Sequence, residues 1–323
     1  MSFVSNFEFK PQFEGCAGAE EEHWTVGRKS GRLVAAAPLV FEVIEEGDIR
    51  SELPVHQIEV VTGICRSSAE VERDLSGKQR QLAALGQRFG FRMNSSPVPP
   101  HPDFEIAVYP KPRYLQIASR SDPEHLRSGW ICGLHVHIGC VSMAQALVLL
   151  NGLRSYLPLF MAASAVRPLP PANAYQGRAS ERFFLYCGMK PDLVPPYIEG
   201  AEHFERLAHE HGMAEDPRKC WWAARINPKG TVEVRIFDMQ KRAGHSAQLA
   251  ALVMVLAHMI RHGRLPILRE DSAAIMERLT AAATSVSERG QYRDSLELFH
   301  DYAVRHYPSE APQIARLITR LFT

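Results

Sequence analysis

Acidic and imidazole side chains recur at alternate positions in four stretches of this sequence, and the positions between them are mainly aliphatic. Residues two apart in a β-strand share one face of the sheet. The pattern therefore predicts strands with one apolar face and one face that carries reactive groups. The stretches are residues 15–26 with Glu20 and Glu22, 54–62 with Glu59, 131–140 with His135 and His137, and 231–238 with Glu233 and Arg235.

If these polar faces meet in the folded chain, carboxylates from separate strands will lie together around an imidazole. Several ionised carboxylates repel one another, so such a cluster requires cations. Oxygen ligands with one imidazole suit Mg²⁺ or Mn²⁺ better than zinc, and protein-bound Mg²⁺ usually keeps positions open for substrate phosphates. The pattern therefore favours a divalent metal site that serves nucleotide chemistry. The residues predicted to gather there are Glu20, Glu22, Glu59, His135 and Glu233.

Each of these motifs also has a plain structural interpretation. The acidic run at residues 20–22 could be a solvated edge, and Glu233 with Arg235 could form a cross-strand ion pair. His135 and His137 could bind zinc together, or they could simply be polar residues of an open sheet face. The joint occurrence of the motifs, always opposite aliphatic residues, favours the metal site.

A sheet with helices on one side would position these groups. Residues 91–97 and 221–227 supply two further strand patterns, and residues 228–230 have the composition of a hairpin turn. Apolar residues at helical spacing predict helices between and after the strands. An antiparallel hairpin mixed with helices predicts an α+β fold. The predicted helices cover residues 69–89, 142–165, 202–211, 245–262, 272–289, 293–306 and 310–322.

The composition is that of an ordinary globular protein. The chain has 323 residues, of which 23% are charged, and its formal net charge of +1 gives no electrostatic reason to expect nucleic acid or an anionic membrane as a partner. The six cysteines are scattered without a CxxC motif, as reduced thiols would be. The N-terminal residues lack a signal-peptide pattern, and His258 with Arg261 interrupts the longest apolar run before bilayer length. We therefore expect a cytoplasmic protein without a membrane span.

At the motifs above, the sequence resembles the carboxylate–amine ligases of the glutamate–cysteine ligase superfamily, especially the bacterial type 2 group. The resemblance covers about residues 15–260. It implies a glutamine-synthetase-like antiparallel sheet curved into a funnel with helices packed on its outer face, in a single catalytic domain of residues 1–323 whose helical tail covers residues 264–323. The matching motifs are GAEEEH (18–23), ELPVHQIEVVTGIC (52–65), GLHVHIG (133–139), NGLRSYLPLFMAASA (151–165) and GTVEVRIFD (230–238).

The resemblance also implies ATP and Mg²⁺, with Mn²⁺ as a substitute. In the implied reaction a carboxylate is phosphorylated, and an amine then displaces phosphate to give an amide and ADP. Arg235 matches a position that contacts phosphate or the transition state, where a cation would neutralise the transferring γ-phosphoryl group. Ser180 and Arg182 match a Ser-x-Arg element that helps to bind the nucleotide, and the arginine would share the catalytic role of Arg235. The positions that match metal ligands are Glu20, Glu22, Glu52, Glu59, His135 and Glu233.

The chain departs from the family between residues 166 and 182, where an Asp-Thr-Gly-like run is absent. We expect this segment to shape the substrate pocket, so we expect small, amino-acid-like carboxylate and amine substrates without carrying over cysteine. Two alternatives stay open. They are a metal-dependent amide hydrolase that uses His135 and His137, and a non-catalytic ATP-binding homologue. A homo-oligomer is open as well, because oligomers are common among such enzymes.

Overall fold

An antiparallel β-sheet of seven strands forms the centre of the computed structural model. The structure describes residues 3–101, 105–122, 126, 129–166, 177–190 and 192–323. Residues 167–176, the larger part of the divergent segment, lie outside these described residues. The strands are β1 (Ala17–Gly27), β2 (Ile49–Ser51), β3 (Gln57–Val61), β4 (Phe91–Asn94), β5 (Gly133–Gly139), β6 (Ala224–Asn227) and β7 (Thr231–Asp238).

The strands follow the order β2-β3-β1-β5-β7-β6, and β4 pairs with the second half of β1. All six strands predicted from alternation are present, and β7 has the predicted bounds. β3 is shorter than predicted, because residues 55–56 form a turn before it. β2 was not predicted, since three residues are too few to show an alternating pattern.

Helices pack on the aliphatic face of this sheet, and the predicted α+β class is confirmed. The described helices are α1 (Ala36–Phe41), α2 (Ser68–Phe89), α3 (Pro112–Arg120), α4 (Met143–Leu153), α5 (Leu157–Ser164), α6 (Glu181–Met189), α7 (Ala201–Glu210), α8 (Ala243–Arg261), α9 (Ser272–Thr284), α10 (Arg293–His306) and α11 (Ala311–Phe322). Helix α2 contacts β1, β3 and β4, α8 contacts β1 and β5, and both α4 and α5 contact β7.

Local sequence sets both ends of α2, the helix that supports β1 and β3. The Ser67 hydroxyl accepts a hydrogen bond from the backbone N–H of Glu70 (3.3 Å), which satisfies a donor that the first helical turn leaves free. Gly90 ends the helix with a φ of 78°, a conformation that costs glycine least. Val71 and Leu75 lie one turn apart and are fully buried, so α2 presents an apolar face to the core.

The single helix predicted over residues 142–165 is two helices. Ser142 caps the first of them as predicted, because its hydroxyl accepts a hydrogen bond from a backbone N–H three residues on (3.2 Å). A 3₁₀ turn at Arg154–Tyr156 then separates α4 from α5. Pro158 lacks the N–H that would continue the helix, and its ring crowds the preceding turn. The buried Arg154 side chain holds this junction by donating to the carbonyl oxygen of Pro195 (2.8 Å).

Two helical stretches, Met143–Ser164 and Ala243–Arg261, are long and apolar enough to cross a membrane by length and composition alone. The expectation that the apolar run near residue 258 falls short of bilayer length is therefore wrong, since α8 has 19 residues. In each stretch, 83% of the most apolar window is buried inside the protein. Helices that are apolar all round are expected in such a buried position.

The main hydrophobic core includes residues from Phe3 to Leu317, and a second, smaller cluster contains Trp24, Trp130 and Met239. The tail packs on the helical layer, where α11 contacts α8 and α10, and α9 contacts α5. Its predicted role in a subunit contact stays a prediction. All six cysteines are free thiols, and only Cys187 is partly exposed. The main core thus holds the helices against one face of the sheet, and the polar residues share the other face with the smaller cluster around Trp24.

Candidate active site

The register of the sheet places the predicted polar residues beside one another. Adjacent antiparallel strands bring directly opposed side chains within reach on the same face. Carboxylates from β1, β3 and β7 therefore meet the imidazoles of β5 on the face opposite the helices. The cross-strand pairs are Glu20 with His135, Glu22 with Glu59, and His137 with Glu233.

Glu20 lies at the centre of this cluster. One of its carboxylate oxygens is 3.3 Å from Nδ1 of His135, and the other is 3.6 Å from Nε2 of His137. Oxygen and imidazole donors at such spacing can hold a divalent cation. Two groups of side chains could each hold a metal ion, because the possible ligand atoms within each group all lie within 4.8 Å of one another. The groups are Glu20 with Glu59 and His135, and Glu20 with His137 and Glu233.

Carboxylates outnumber cations on the β1–β3 side of the cluster. Burial, together with Glu22 and Glu20, raises the pKa of Glu52 to about 8. Burial and the Glu20 charge raise the pKa of Glu59 well above its usual range, although the Arg50 guanidinium lies 3.5 Å from its carboxylate. Burial and neighbouring carboxylates thus keep these carboxyl groups protonated. A bound metal ion would supply the positive charge that allows them to ionise.

Glu20 and His137 support each other electrostatically. Burial would raise the pKa of Glu20, but the imidazoles of His137 and His135 outweigh it and hold that pKa well below its usual range. Burial would lower the pKa of His137, but Glu20 and Glu233 outweigh it and raise that pKa. The Nε2 atom of His137 is buried, and no hydrogen-bond partner for it occurs among the described residues. A buried imidazole nitrogen that lies 3.6 Å from Glu20 and makes no hydrogen bond in that part of the chain could coordinate a cation once it is deprotonated.

Glu233 is fully buried and is held by three side chains. Arg225 Nε donates to one carboxylate oxygen (2.8 Å), Asn227 donates to the same oxygen (2.7 Å), and Arg235 pairs with the other. Burial would raise the pKa of Glu233, but Arg235 and Arg225 hold it well below its usual range. The buried Nε of Arg235 has no acceptor in the described part of the chain, so this guanidinium can still donate to a ligand. The predicted phosphate contact of Arg235 stays a prediction.

A β-bulge next to the cluster changes which side chains of β7 lie on each face of the sheet. The register between β5 and β7 shifts by one residue opposite His135. Strict alternation would place Phe237 beside Arg235 on the polar face. Because of the shift, Phe237 turns into the core instead, where its ring centroid lies 5.3 Å from that of Phe160.

Arg182 and Ser180 lie beside the cluster and are engaged with the protein itself. Arg182 is buried against Gly133, where an added Cβ would clash with its guanidinium, and it donates to the carbonyl oxygens of residues 235–236 at 3.3 Å. Ser180 caps α6 and donates its hydroxyl proton to Asp238 (2.7 Å). The contacts predicted between these two residues and a nucleotide stay predictions.

Glu22 and Glu52 lie at the margin of the cluster. Glu22 accepts a hydrogen bond from the backbone N–H of Gly133 (2.6 Å), and Glu52 directly follows β2. Neither belongs to the two groups of ligand atoms described above. They are nevertheless close enough for the Glu22 charge to raise the pKa of Glu52. Their predicted role as metal ligands stays a prediction.

The sequence-based prediction missed several side chains that complete the site. Arg225 and Asn227 could have been found, because the short turn at residues 228–230 pairs Asn227 with Thr231 and therefore Arg225 with Glu233. Arg50 lies on β2, which is too short to give a signal, yet it is the cross-strand partner of Glu59. His137 is absent from the predicted Mg²⁺ ligands, because its motif was interpreted as a zinc pair or as polar residues of an open sheet face.

A cavity of about 300 Å³ opens beside the cluster and is lined by Glu20, Arg50 and His137. Lys10 and Lys229 also line it, so three basic side chains surround a space next to the carboxylates. This volume lies at the lower end of the range for small-molecule sites. Phe13 and Ile64 are among the apolar residues of its wall, which makes the cavity suitable for a ligand with a flat ring and anionic groups.

Comparison with known proteins places the chain among ligases. It is 28% identical over 313 residues to a Mycobacterium sp. (strain KMS) protein provisionally named glutamate–cysteine ligase 2-2, which covers 95% of this chain and 84% of the relative. The fold matches glutamate–cysteine ligase from Francisella tularensis in complex with AMP with a TM-score of 0.65, at 12% identity and over 98% of this chain and 83% of that one.

A bifunctional glutathione synthetase from Pasteurella multocida matches with a TM-score of 0.64 and 12% identity. The match covers 95% of this chain but 46% of that protein, so the chain spans about half its length. At such low identity the two structures show the fold alone, and it is the ligase fold that the resemblance implied. The family model described as glutamate–cysteine ligase family 2 matches residues 16–301, and the chain belongs to this family.

Proposed function

We propose that this protein is an ATP- and Mg²⁺-dependent ligase that joins a carboxylate to an amine through an acyl phosphate, with ADP and phosphate as products. The observation that carries the proposal is the position of Glu20 between two sets of possible ligands, Glu59 with His135 and His137 with Glu233. Membership of the family supports the coarser assignment as a ligase. The ATP and metal dependence rests on the chemistry of the cluster.

The carboxylates and imidazoles of the cluster would hold the metal. Glu20, Glu59 and His135 supply one donor set, and His137 with Glu233 extends it on the β7 side. Mn²⁺ would suit the same oxygen and nitrogen donors. When bound, Mg²⁺ would neutralise phosphate charge and hold the triphosphate against the sheet. Glu22 and Glu52 would complete the ligand set, and the raised pKa of Glu52 fits a group that a cation would ionise.

The arginines next to the cluster would bind and orient the transferring phosphoryl group. Arg235 keeps a buried, unpaired Nε and already lies against Glu233, so its position is fixed before a ligand arrives. Arg182, with Ser180 at the start of α6, supports the strand that carries Arg235 and would add positive charge. Charge that spreads over the phosphoryl oxygens is what such cations stabilise.

The cavity beside Glu20 would accept the nucleotide. Its apolar wall suits a base, and Arg50, Lys10 and Lys229 suit phosphate or ribose oxygens. The substrates would be small and amino-acid-like, a carboxylate and an amine, and cysteine is not assumed to be one of them. We place the protein in the cytoplasm, consistent with its free thiols, and a homo-oligomer is compatible with this function.

An ADP-release screen over amino acids and small amines in the presence of Mg²⁺ tests this function. We expect at least one carboxylate–amine pair to yield ADP and an amide, and Glu59→Gln and Glu233→Gln to abolish that release while the variants remain folded. Full turnover by both variants would refute the site. Zinc retained through purification, with amide hydrolysis and no response to ATP, would favour the hydrolase. Binding of ATP without ADP from any pair would favour the non-catalytic homologue.

A further inference from the structure

A second cavity, of about 360 Å³, lies outside the carboxylate cluster, between the start of β1 and the C-terminal end of α8. Arg66 and Arg261 contribute to its wall, as do His258, His262 and Tyr307. This combination of basic and aromatic side chains has no role in the proposed ligase reaction. The cavity adjoins the first one, since Cys16 lines both.

The two arginines of this cavity are not paired with a carboxylate among the described residues. In the described part of the chain neither guanidinium forms an ion pair or a hydrogen bond, and Nη1 of Arg261 is buried without a partner. Glu14 is the acidic residue of the wall, and its carboxylate already accepts a hydrogen bond from Gln145 (2.6 Å). A buried guanidinium atom without an acceptor costs free energy that a bound anion would return.

Stacked aromatic rings form another part of the wall of this cavity. His258 stacks between His262, with ring centroids 4.1 Å apart, and Tyr307, with ring centroids 4.9 Å apart. Burial and then the neighbouring His262 and Arg261 lower the pKa of His258 to about 4. The His258 ring is therefore neutral at neutral pH and contributes its aromatic surface, not a charge, to the wall.

The backbone at Gly15 leaves room for the Arg261 side chain. Gly15 has a φ of 69°, and an added Cβ there would lie 2.7 Å from Nη2 of Arg261. The absence of a side chain at this position therefore allows the guanidinium to lie directly against the backbone. The planar fork of N–H donors of an arginine in this position matches the oxygens of a phosphate group.

We propose that this cavity is a binding site for a phosphate group, held between Arg66 and Arg261 beside the stacked His258 ring. Two guanidinium groups that form no ion pair in the described part of the chain match the charge of a phosphate dianion better than that of a carboxylate. The site is separate from the metal cluster and does not depend on the proposed ligase activity. Because Cys16 forms part of both walls, phosphate bound here would lie next to the proposed nucleotide cavity.

Titration of inorganic phosphate into the metal-free protein, followed by calorimetry, tests this site. We expect one phosphate per chain, with at least tenfold weaker binding in Arg261→Gln and in Arg66→Gln. Arg305→Gln, an exposed residue of α10, is the matched control and should bind like the wild type. Acetate should bind at least tenfold more weakly than phosphate, since a carboxylate carries a single charge.

The Arg235→Gln variant distinguishes phosphate binding in this cavity from phosphate binding at the proposed ligase site. Phosphate bound at the ligase site would be lost in Arg235→Gln and retained in Arg261→Gln. Binding that survives Arg235→Gln and is lost in Arg261→Gln supports the proposal. Absence of phosphate binding, equal affinity for acetate, or loss only in Arg235→Gln overturns it. If Arg261→Gln does not fold, Arg66→Gln decides, since Arg66 is exposed and its replacement leaves the core untouched.

Discussion

Glu20 and His135 occupy directly opposed positions on β1 and β5, and a carboxylate oxygen of Glu20 lies 3.3 Å from Nδ1 of His135. The other carboxylate oxygen faces His137 at 3.6 Å. Glu20 thus belongs to both groups of possible ligand atoms and joins the two sides of the cluster. Replacing Glu20 should therefore weaken metal binding on both sides of the cluster, whereas replacing another ligand should weaken it on one side.

Stability of the metal-free protein should fall as pH rises through the neutral range. Glu52, with a pKa raised to about 8, and Glu59 keep their protons when folded at pH values at which the unfolded chain has lost them. These two groups therefore bind more protons in the folded state and lower the free energy of unfolding as pH rises. Their effect dominates from about pH 6.5 to pH 8, where His258, whose lowered pKa acts in the opposite direction at lower pH, is neutral in both states. The raised pKa of His137 acts in the same direction, because its stabilisation is lost as pH rises through that pKa.

Mg²⁺ should reverse this loss, because it replaces the protons on the carboxylates. A metal at 100 times its Kd stabilises a protein by about 2.7 kcal/mol. We therefore expect Mg²⁺ to raise the melting temperature more at pH 8 than at pH 6, and Glu52→Gln to flatten the pH dependence of the metal-free protein. An equal increase in melting temperature at pH 6 and at pH 8 would contradict the claim that Mg²⁺ replaces protons on Glu52 and Glu59.

Arg225 should contribute to stability through Glu233. Its guanidinium donates to both carboxylate oxygens, at 2.8 and 3.2 Å. Hydrogen bonds to charged groups are worth roughly 1.5–3 kcal/mol, so we expect Arg225→Gln to lower the free energy of unfolding by about 2 kcal/mol. The exposed Arg305→Gln should cost less than about 0.5 kcal/mol.

A double-mutant cycle with Glu233→Gln checks whether this cost arises from the pair. Contacting residues in one ion-pair network are not additive, so Arg225→Gln should cost much less when Glu233 is already replaced. Urea unfolding of the single and double variants gives the four free energies. Additive costs would show that Arg225 acts through other contacts, such as its bond to the carbonyl oxygen of Cys220 (2.8 Å).

Gly133 should tolerate no side chain. A Cβ at this position would clash with the guanidinium of Arg182, which is buried and bonded to the backbone of β7. Overpacking of this kind usually costs about 1–3 kcal/mol, and we expect a loss of that size in the urea unfolding of Gly133→Ala. Gly188→Ala in α6 is the control, since nothing lies within 4 Å of its added Cβ, and it should be neutral or stabilising. Equal stability of the two variants would mean that Arg182 can move aside.

The polar face of the sheet could be predicted from sequence because alternation with period two reports which residues share a face. Glu20, Glu59, His135 and Glu233 all lie where that rule places them. Register was not predictable in the same way, since alternation says nothing about which residue lies opposite which. The hairpin between β6 and β7 is the exception, because its turn length fixes the pairing of Arg225 with Glu233.

Irregular backbone and short elements account for the features of the site that the sequence did not predict. The bulge opposite His135 places Phe237 in the core, and no sequence pattern predicts the extra residue of the bulge. Arg50 was missed because β2 has three residues. Ser180 was selected as a nucleotide contact, yet its hydroxyl satisfies a helix N-terminus and Asp238, a local role that a Ser followed by a helical stretch also fits.

Titration of Mn²⁺ in the presence of a non-hydrolysable ATP analogue, followed by electron paramagnetic resonance, tests the metal cluster most directly. We predict that the wild-type protein binds Mn²⁺ and that Glu20→Gln weakens this binding at least tenfold. Glu297→Gln, an exposed carboxylate on α10, should bind like the wild type. Undiminished Mn²⁺ affinity in Glu20→Gln, or no Mn²⁺ bound to the wild type, would contradict a metal site built around Glu20.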